Sequence, residues 1–196
     1  MIEVEKKFIL TPEQKKALTD GAEFLGEKII NDKYYDDENY SLTKKDIWLR
    51  NRNGKFEVKL PLNVSIEKRI SDQYKEIEDE KEIKKYFKFD KNKSILGSLD
   101  YKGYKPFYIV STTRKKYRKE GFNIDIDVTD FGYNVIEIEY MIEDNANLKE
   151  TTDKIILFAK KHGIDTDTYV RGKAEEYLRR NNPKHYQKLV AEKVFK

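Results

Sequence analysis

The chain has 196 residues, no cysteine, and a net charge of +4 from 40 Lys+Arg against 36 Asp+Glu. The missing thiols exclude disulfides, thiolate metal sites and cysteine nucleophiles, and the near balance of charge gives no global basic field to favour nucleic acid. Charged residues make up 39% and aromatics 13%, so a folded chain is expected whose charge either crowds the surface or is partly enclosed.

The first predicted element is a strand, Ile2 to Phe8. Alternation puts Glu3, Glu5 and Lys7 on one face and Ile2, Val4 and Phe8 on the other. Two neighbouring carboxylates repel unless a cation sits between them, so this face reads either as half of a metal and anion site or as a solvated amphipathic strand. The strand has no apolar leader before it and no apolar run approaches transmembrane length, so a cytosolic protein is expected. The sequons at Asn39, Asn63 and Asn92 are then chance matches.

Thr11-Pro12-Glu13-Gln14 reads as a capping box with proline at the first helical position. The helix is expected to reach about Leu25 and stop at Gly26, with Ala17, Leu18, Ala22 and Leu25 as its apolar stripe. Lys28 to Asp36 returns to a strand carrying Tyr34 and Tyr35. Asn53-Gly54 is a type I′ turn signal. It joins Asp46–Arg52, with Trp48, Arg50 and Arg52 on one face, to Lys55–Leu60, where Glu57 and Lys59 alternate with Phe56, Val58 and Leu60; Pro61 ends the hairpin.

A short strand follows at Gln73 to Glu78, then a charged helix from about Asp79 to Phe87, and 88–105 read as loop. The long strand Phe107–Arg118 carries Arg114, Lys116 and Arg118 on one parity. Phe122–Val128 alternates Asn123, Asp125 and Asp127 with apolar residues, and Tyr133–Ile142 sets Glu137 and Glu139 against Ile136, Ile138 and Tyr140. Three helices close the chain, at Asn147–His162, Lys173–Arg180 and Pro183–Phe195.

Such alternation fits an open sheet with one wet face or a barrel with a polar interior. The charges segregate by sign, with Glu3, Glu5, Asp125, Asp127, Glu137 and Glu139 in one group and Arg50, Arg52, Lys59 and Arg114 in the other. The acidic strands could converge on a divalent cation through oxygen ligands, the preference of Mg2+ or Mn2+, and the arginines could fork onto phosphate. His162 and His185 have no partner at metal spacing and read as surface or capping residues. Lys115, Lys116 and Arg118 read as a solvated outer face, Lys75 and Glu76 as either a supporting or an exposed pair. No P-loop spacing occurs.

Glu3-Val-Glu5-Lys-Lys7 resembles the amino-terminal E-x-E-x-K signature of the CYTH, or triphosphate tunnel metalloenzyme, superfamily. Trp48-Leu-Arg50-Asn-Arg52, Phe56-Glu-Val-Lys59, Tyr74-Lys75-Glu76, Arg114, Asp125-Ile-Asp127, Glu137-Ile-Glu139 and Gly172-Lys173 follow in that family's order. The blocks Asp32-Lys-Tyr34-Tyr35-Asp36, Trp48-Leu-Arg50, Asp130-Phe-Gly-Tyr133 and Tyr186-Gln-Lys-Leu189 are most similar to its thiamine triphosphatase branch.

The resemblance implies an α+β fold over residues 1–196: a closed antiparallel β-barrel of about eight strands, with a charged interior and flanking helices. It implies metal-dependent hydrolysis of a small-molecule triphosphate by a monomer. Glu3, Glu5, Asp125, Glu137 and Glu139 then correspond to the metal shell, for Mg2+ or Mn2+. Lys7, Arg50, Arg52, Lys59, Arg114 and Lys173, with Glu137 nearby, correspond to the phosphate-binding set. Asp127 reads as a further ligand or a support.

Tyr34 pairs with Lys7 in this reading to activate water, an ammonium neighbour favouring the phenolate. Trp48 offers an indole face to a thiamine ring. Alternatives are hydrolysis of inorganic triphosphate, nucleoside triphosphates or RNA 5′-triphosphate ends, the class IV adenylate cyclase reaction, or binding of polyphosphate without turnover.

Overall fold

The computed structural model describes residues 2–62, 69–143 and 147–196; the Asn63 sequon lies outside them. Among the described residues eight strands are formed: β1 Ile2–Phe8, β2 Glu23–Asp36, β3 Trp48–Arg52, β4 Lys55–Pro61, β5 Asp72–Ile77, β6 Lys105–Lys119, β7 Phe122–Thr129 and β8 Asn134–Ile142. Every neighbouring pair is antiparallel, and the order β1-β5-β4-β3-β2-β6-β7-β8 closes on itself as a barrel. Closure removes both sheet edges and gives each strand an inner and an outer row of side chains.

Among the described residues six α-helices flank the barrel: α1 Pro12–Thr19, α2 Glu80–Phe87, α3 Ile95–Tyr101, α4 Leu148–Lys161, α5 Lys173–Asn181 and α6 Pro183–Ala191. The apolar parity of β1, β7 and β8 packs outward, with Val4, Ile124 and Ile138 against Leu18 of α1 and Ile155 and Phe158 of α4. On another flank Leu49, Val58 and Ile77 meet Ile83 and Phe87 of α2 and Ile95 and Leu99 of α3. Each fully buried aliphatic of this kind contributes roughly 1.5–3 kcal/mol. These two cores turn the charged parity inward. At one end Leu178 of α5, Leu189 of α6, Val194 and Phe195 pack on the inner-row aromatics Tyr34, Trp48, Tyr74 and Tyr108.

Three expectations are corrected. The capping box of α1 forms as read, but the helix ends at Thr19, because Gly21 takes φ +67 and Glu23 already pairs with Arg118 of β6. Gly26, at φ +129, marks a register shift in β2 rather than a helix stop. Residues 95–101, read as loop, form α3, capped by the Ser94 side chain on Gly97 N. The turn Asn53-Gly54 has both residues at positive φ, as a type I′ turn requires, and Pro61 still pairs with Tyr74 in β4.

Candidate active site

Cross-strand register assembles the barrel interior. Glu5 on β1 stands opposite Glu139 on β8, and Lys7 opposite Glu137. Asp125 on β7 faces Glu137, and Asn123 faces Glu139. Around the wall, Arg114 pairs with Asp127 and Lys116 with Asp125, Tyr34 with Arg50 and Asp32 with Arg52, and Lys59 with Glu76. All of these side chains except Asp32, Asp125 and Asp127 line one cavity of about 320 Å³, together with Trp48 and with Lys173 from the start of α5. Gly172, before Lys173, lies where a Cβ would come within 3.3 Å of the Lys7 Cε, so the close approach of this segment to β1 suits glycine.

The five carboxylates expected to hold metal come together. Glu3, Glu5 and Glu139 each bring an oxygen within 4.8 Å of the others, and Asp125, Glu137 and Glu139 do the same. All five are buried, and Asp125 is fully so. Burial raises the Glu3 carboxyl to about 7; Lys59 opposes the shift, while Glu5 and Glu76 add to it. Burial, with Glu3 and Asp125 beside it, holds Glu139 well above the usual carboxylate range. Glu137 goes the other way: burial would raise it, but Lys173, Arg114 and Lys7 together hold it well below. Asp125 Oδ1 accepts no hydrogen bond among the described residues, although Lys116 Nζ stands 3.2 Å away. Crowded, dry carboxylate oxygens, one without a donor, fit a hard divalent cation.

Each basic side chain of the expected phosphate set meets a carboxylate. Arg114 forks onto Asp127 with two 2.6 Å hydrogen bonds, donates to Glu137 at 2.7 Å and also donates to Asp125. Lys173 donates to Asp127 and, at 2.7 Å, to Glu137. Asp127 therefore anchors two cations. Arg52 forks onto Asp32 at 2.8 Å, Arg50 reaches Glu57 at 2.7 Å, and Lys59 pairs with Glu3 and, at 3.4 Å, Glu76.

The segregation by sign is thus incomplete: Asp32, Glu57 and Glu76 sit among the arginines. Their parity with Tyr34, Lys59 and Tyr74 was the available signal. Lys116, read as part of a solvated face, lies 3.5 Å from Glu139 in the interior, on the parity of Arg114.

Two further expectations change. Lys7 Nζ is held by Glu5 and Asp72 at 2.5 Å each, so the Lys7–Tyr34 pair is not made. The Tyr34 hydroxyl instead accepts from Arg50 Nη1 at 3.2 Å. His185, read as a surface or capping residue, is fully buried, stacked on Tyr40 at 3.8 Å with its Nε2 2.8 Å from Thr43 Oγ1. Trp48 does line the cavity, but it is only 7% exposed. Its Nε1 donates to Asp46 at 2.7 Å, and Phe195 stacks on it at 5.9 Å, leaving at most one face for another ring.

A model of the CYTH domain family matches residues 1–172. The chain belongs to the CYTH domain family. Two thiamine-triphosphatases, from Homo sapiens and Macaca fascicularis, are each 27% identical to this chain over 207 aligned residues, which cover 97% of it and 90% of each relative. A solved structure of a protein from Pyrococcus horikoshii OT3 superposes with a TM-score of 0.66 at 27% identity, covering 91% of this CYTH chain and 99% of that one.

Proposed function

We propose that the barrel interior binds a triphosphate and hydrolyses its terminal phosphoanhydride, that thiamine triphosphate is the preferred substrate, and that Mg2+, or Mn2+ in its place, is the cofactor. One observation carries the reading: two overlapping carboxylate clusters share Glu139, and Glu3, Glu5, Glu137 and Glu139 of them line the same cavity as Lys7, Arg50, Arg52, Lys59, Arg114 and Lys173. A pure anion binder gains nothing from buried acids, whereas a metal-dependent hydrolase needs both sets. Membership of the CYTH family and the two thiamine-triphosphatase relatives support it.

Glu3, Glu5, Asp125, Glu137 and Glu139 would hold the cation. When bound, it neutralises phosphate charge and favours displacement at phosphorus. The six cationic side chains bind and orient the phosphate oxygens, exchanging carboxylate partners for them. Tyr34 acts as the general base that takes the proton of the attacking water, and Arg50 Nη1, donating to its oxygen at 3.2 Å, orients it. The water oxygen bonds to the terminal phosphorus, and the diphosphate leaves with the electrons of the broken P–O bond.

Trp48 then stacks on the cationic thiazolium or the pyrimidine, a contact of ~0.5–2 kcal/mol. Its small exposure and the Phe195 ring behind it favour a second reading, a less selective triphosphatase that also takes inorganic triphosphate. Trp48→Ala separates the two. On the thiamine reading it raises KM for thiamine triphosphate about 3- to 30-fold and leaves inorganic triphosphate unchanged. Equal loss on both substrates would give Trp48 a packing role only.

A further inference from the structure

Asp46 lies between a 3-10 turn, Thr43–Lys45, and β3, with φ at 58. A non-glycine residue rarely holds this left-handed conformation, and Asp is among the few that do. Its side chain is buried at the wall of the cavity. Donors from three separate parts of the chain converge on it. The Trp48 indole N–H donates to Oδ1 at 2.7 Å, and the Tyr74 hydroxyl of β5 donates to the same oxygen at 2.9 Å. Arg69 Nη2 donates to Oδ2 at 2.7 Å.

A buried carboxylate persists only where donors offset its desolvation. Arg69 supplies the opposite charge. The other two donors belong to side chains at the ring-binding end of the cavity. An indole has one N–H, so fixing that bond fixes the plane of the ring. The second bond ties the same oxygen to Tyr74, whose ring lies under Lys59 Nζ at 5.5 Å. Asp46 therefore connects the Trp48 indole to Tyr74, the ring beneath a cation of the phosphate set.

We propose that Asp46 is a positioning residue for substrate selectivity: it holds the Trp48 indole at the distance from the phosphate clamp that suits a triphosphate ester of a flat cationic ring over bare triphosphate. This rests on the triphosphatase reading above. Asp46 touches no reacting atom and acts on selectivity through the Trp48 indole that it holds.

The test combines a double-mutant cycle with the emission of Trp48, the one tryptophan of the chain. Asp46→Asn removes the charge that Arg69 pairs with and weakens the acceptor. It is expected to raise KM for thiamine triphosphate about tenfold while leaving kcat/KM for inorganic triphosphate within about twofold. In the Trp48→Phe background the same substitution is expected to add nothing. In the free protein, Trp48 emission is expected to shift to the red and lose anisotropy. Asp46→Glu keeps the charge but displaces the acceptor, so it moves the same readouts if Asp46→Asn does not fold.

Equal loss on both substrates, the same tenfold cost in the Trp48→Phe background, or unchanged emission would each overturn the proposal. A wild-type protein that hydrolyses neither triphosphate would instead sink the functional reading, and the emission measurement would still decide whether Asp46 fixes the indole.

Discussion

Arg50 Nη1 donates to the Tyr34 hydroxyl at 3.2 Å, whereas Lys7 is bound by Glu5 and Asp72. The family resemblance implied that Lys7 would pair with Tyr34, but the motifs alone do not fix which cation meets the phenol. That depends on the register of β2 with β3, which sets Tyr34 opposite Arg50. The Tyr34 ring is fixed by stacking on Tyr108 at 5.1 Å, so removing the hydroxyl leaves its packing intact. Tyr34→Phe is expected to lower kcat by roughly 10²–10⁴ if the oxygen is the base, with the melting temperature little changed. A kcat within about threefold of wild type, measured by phosphate release, would remove Tyr34 from the chemistry.

At the scale of elements, α6 is docked through His185. Its Nε2 lies 2.8 Å from Thr43 Oγ1, and that hydroxyl donates to Asp36 at 2.6 Å, so the imidazole donates through Nε2. Nδ1 is buried without a partner among the described residues, and the ring is enclosed by Tyr40 and Phe107. Burial, with a smaller push from Lys44, lowers its pKa to about 4. The unfolded chain, with an ordinary histidine near 6.5, takes up the proton first. Stability from this site is therefore complete above pH 6.5 and lost as pH falls from 6.5 towards 4.

Asp36, raised by burial, also titrates when the pH falls, so the difference between wild type and His185→Gln is the informative quantity. Thermal melts should show wild type more stable above pH 6.5 and the gap narrowing towards pH 4. A gap independent of pH would refute the docking account. Nothing local in Pro183–Ala191 announced this contact, because it depends on a side chain 142 residues away. The short α3 and the early end of α1 were missed for a related reason. A seven-residue helix shows too little periodicity to read, and pairing of Glu23 with β6 overrode a helical pattern running to Leu25.

Across the whole molecule, strict alternation along β1, β3, β7 and β8 made the strands and their charged faces legible. Alternation alone did not distinguish a polar barrel from a wet sheet; the ordered motifs of the family did. The grouping of Glu3, Glu5, Asp125, Glu137 and Glu139 could be anticipated because all five share inward parity. The acid at each arginine could not, since partner choice is a matter of register between strands far apart in the chain. Among the described residues no helix is long and apolar enough to cross a membrane.

The central claim is that the carboxylate clusters and the cationic set serve one metal-dependent hydrolysis. Phosphate release tests it directly, measured on thiamine triphosphate, inorganic triphosphate, ATP and triphosphorylated RNA with Mg2+, with Mn2+ and after chelation. The account predicts metal-dependent release that is fastest on thiamine triphosphate and abolished by the chelator. Release that survives chelation, or no release from any of the four substrates with either metal, would contradict it.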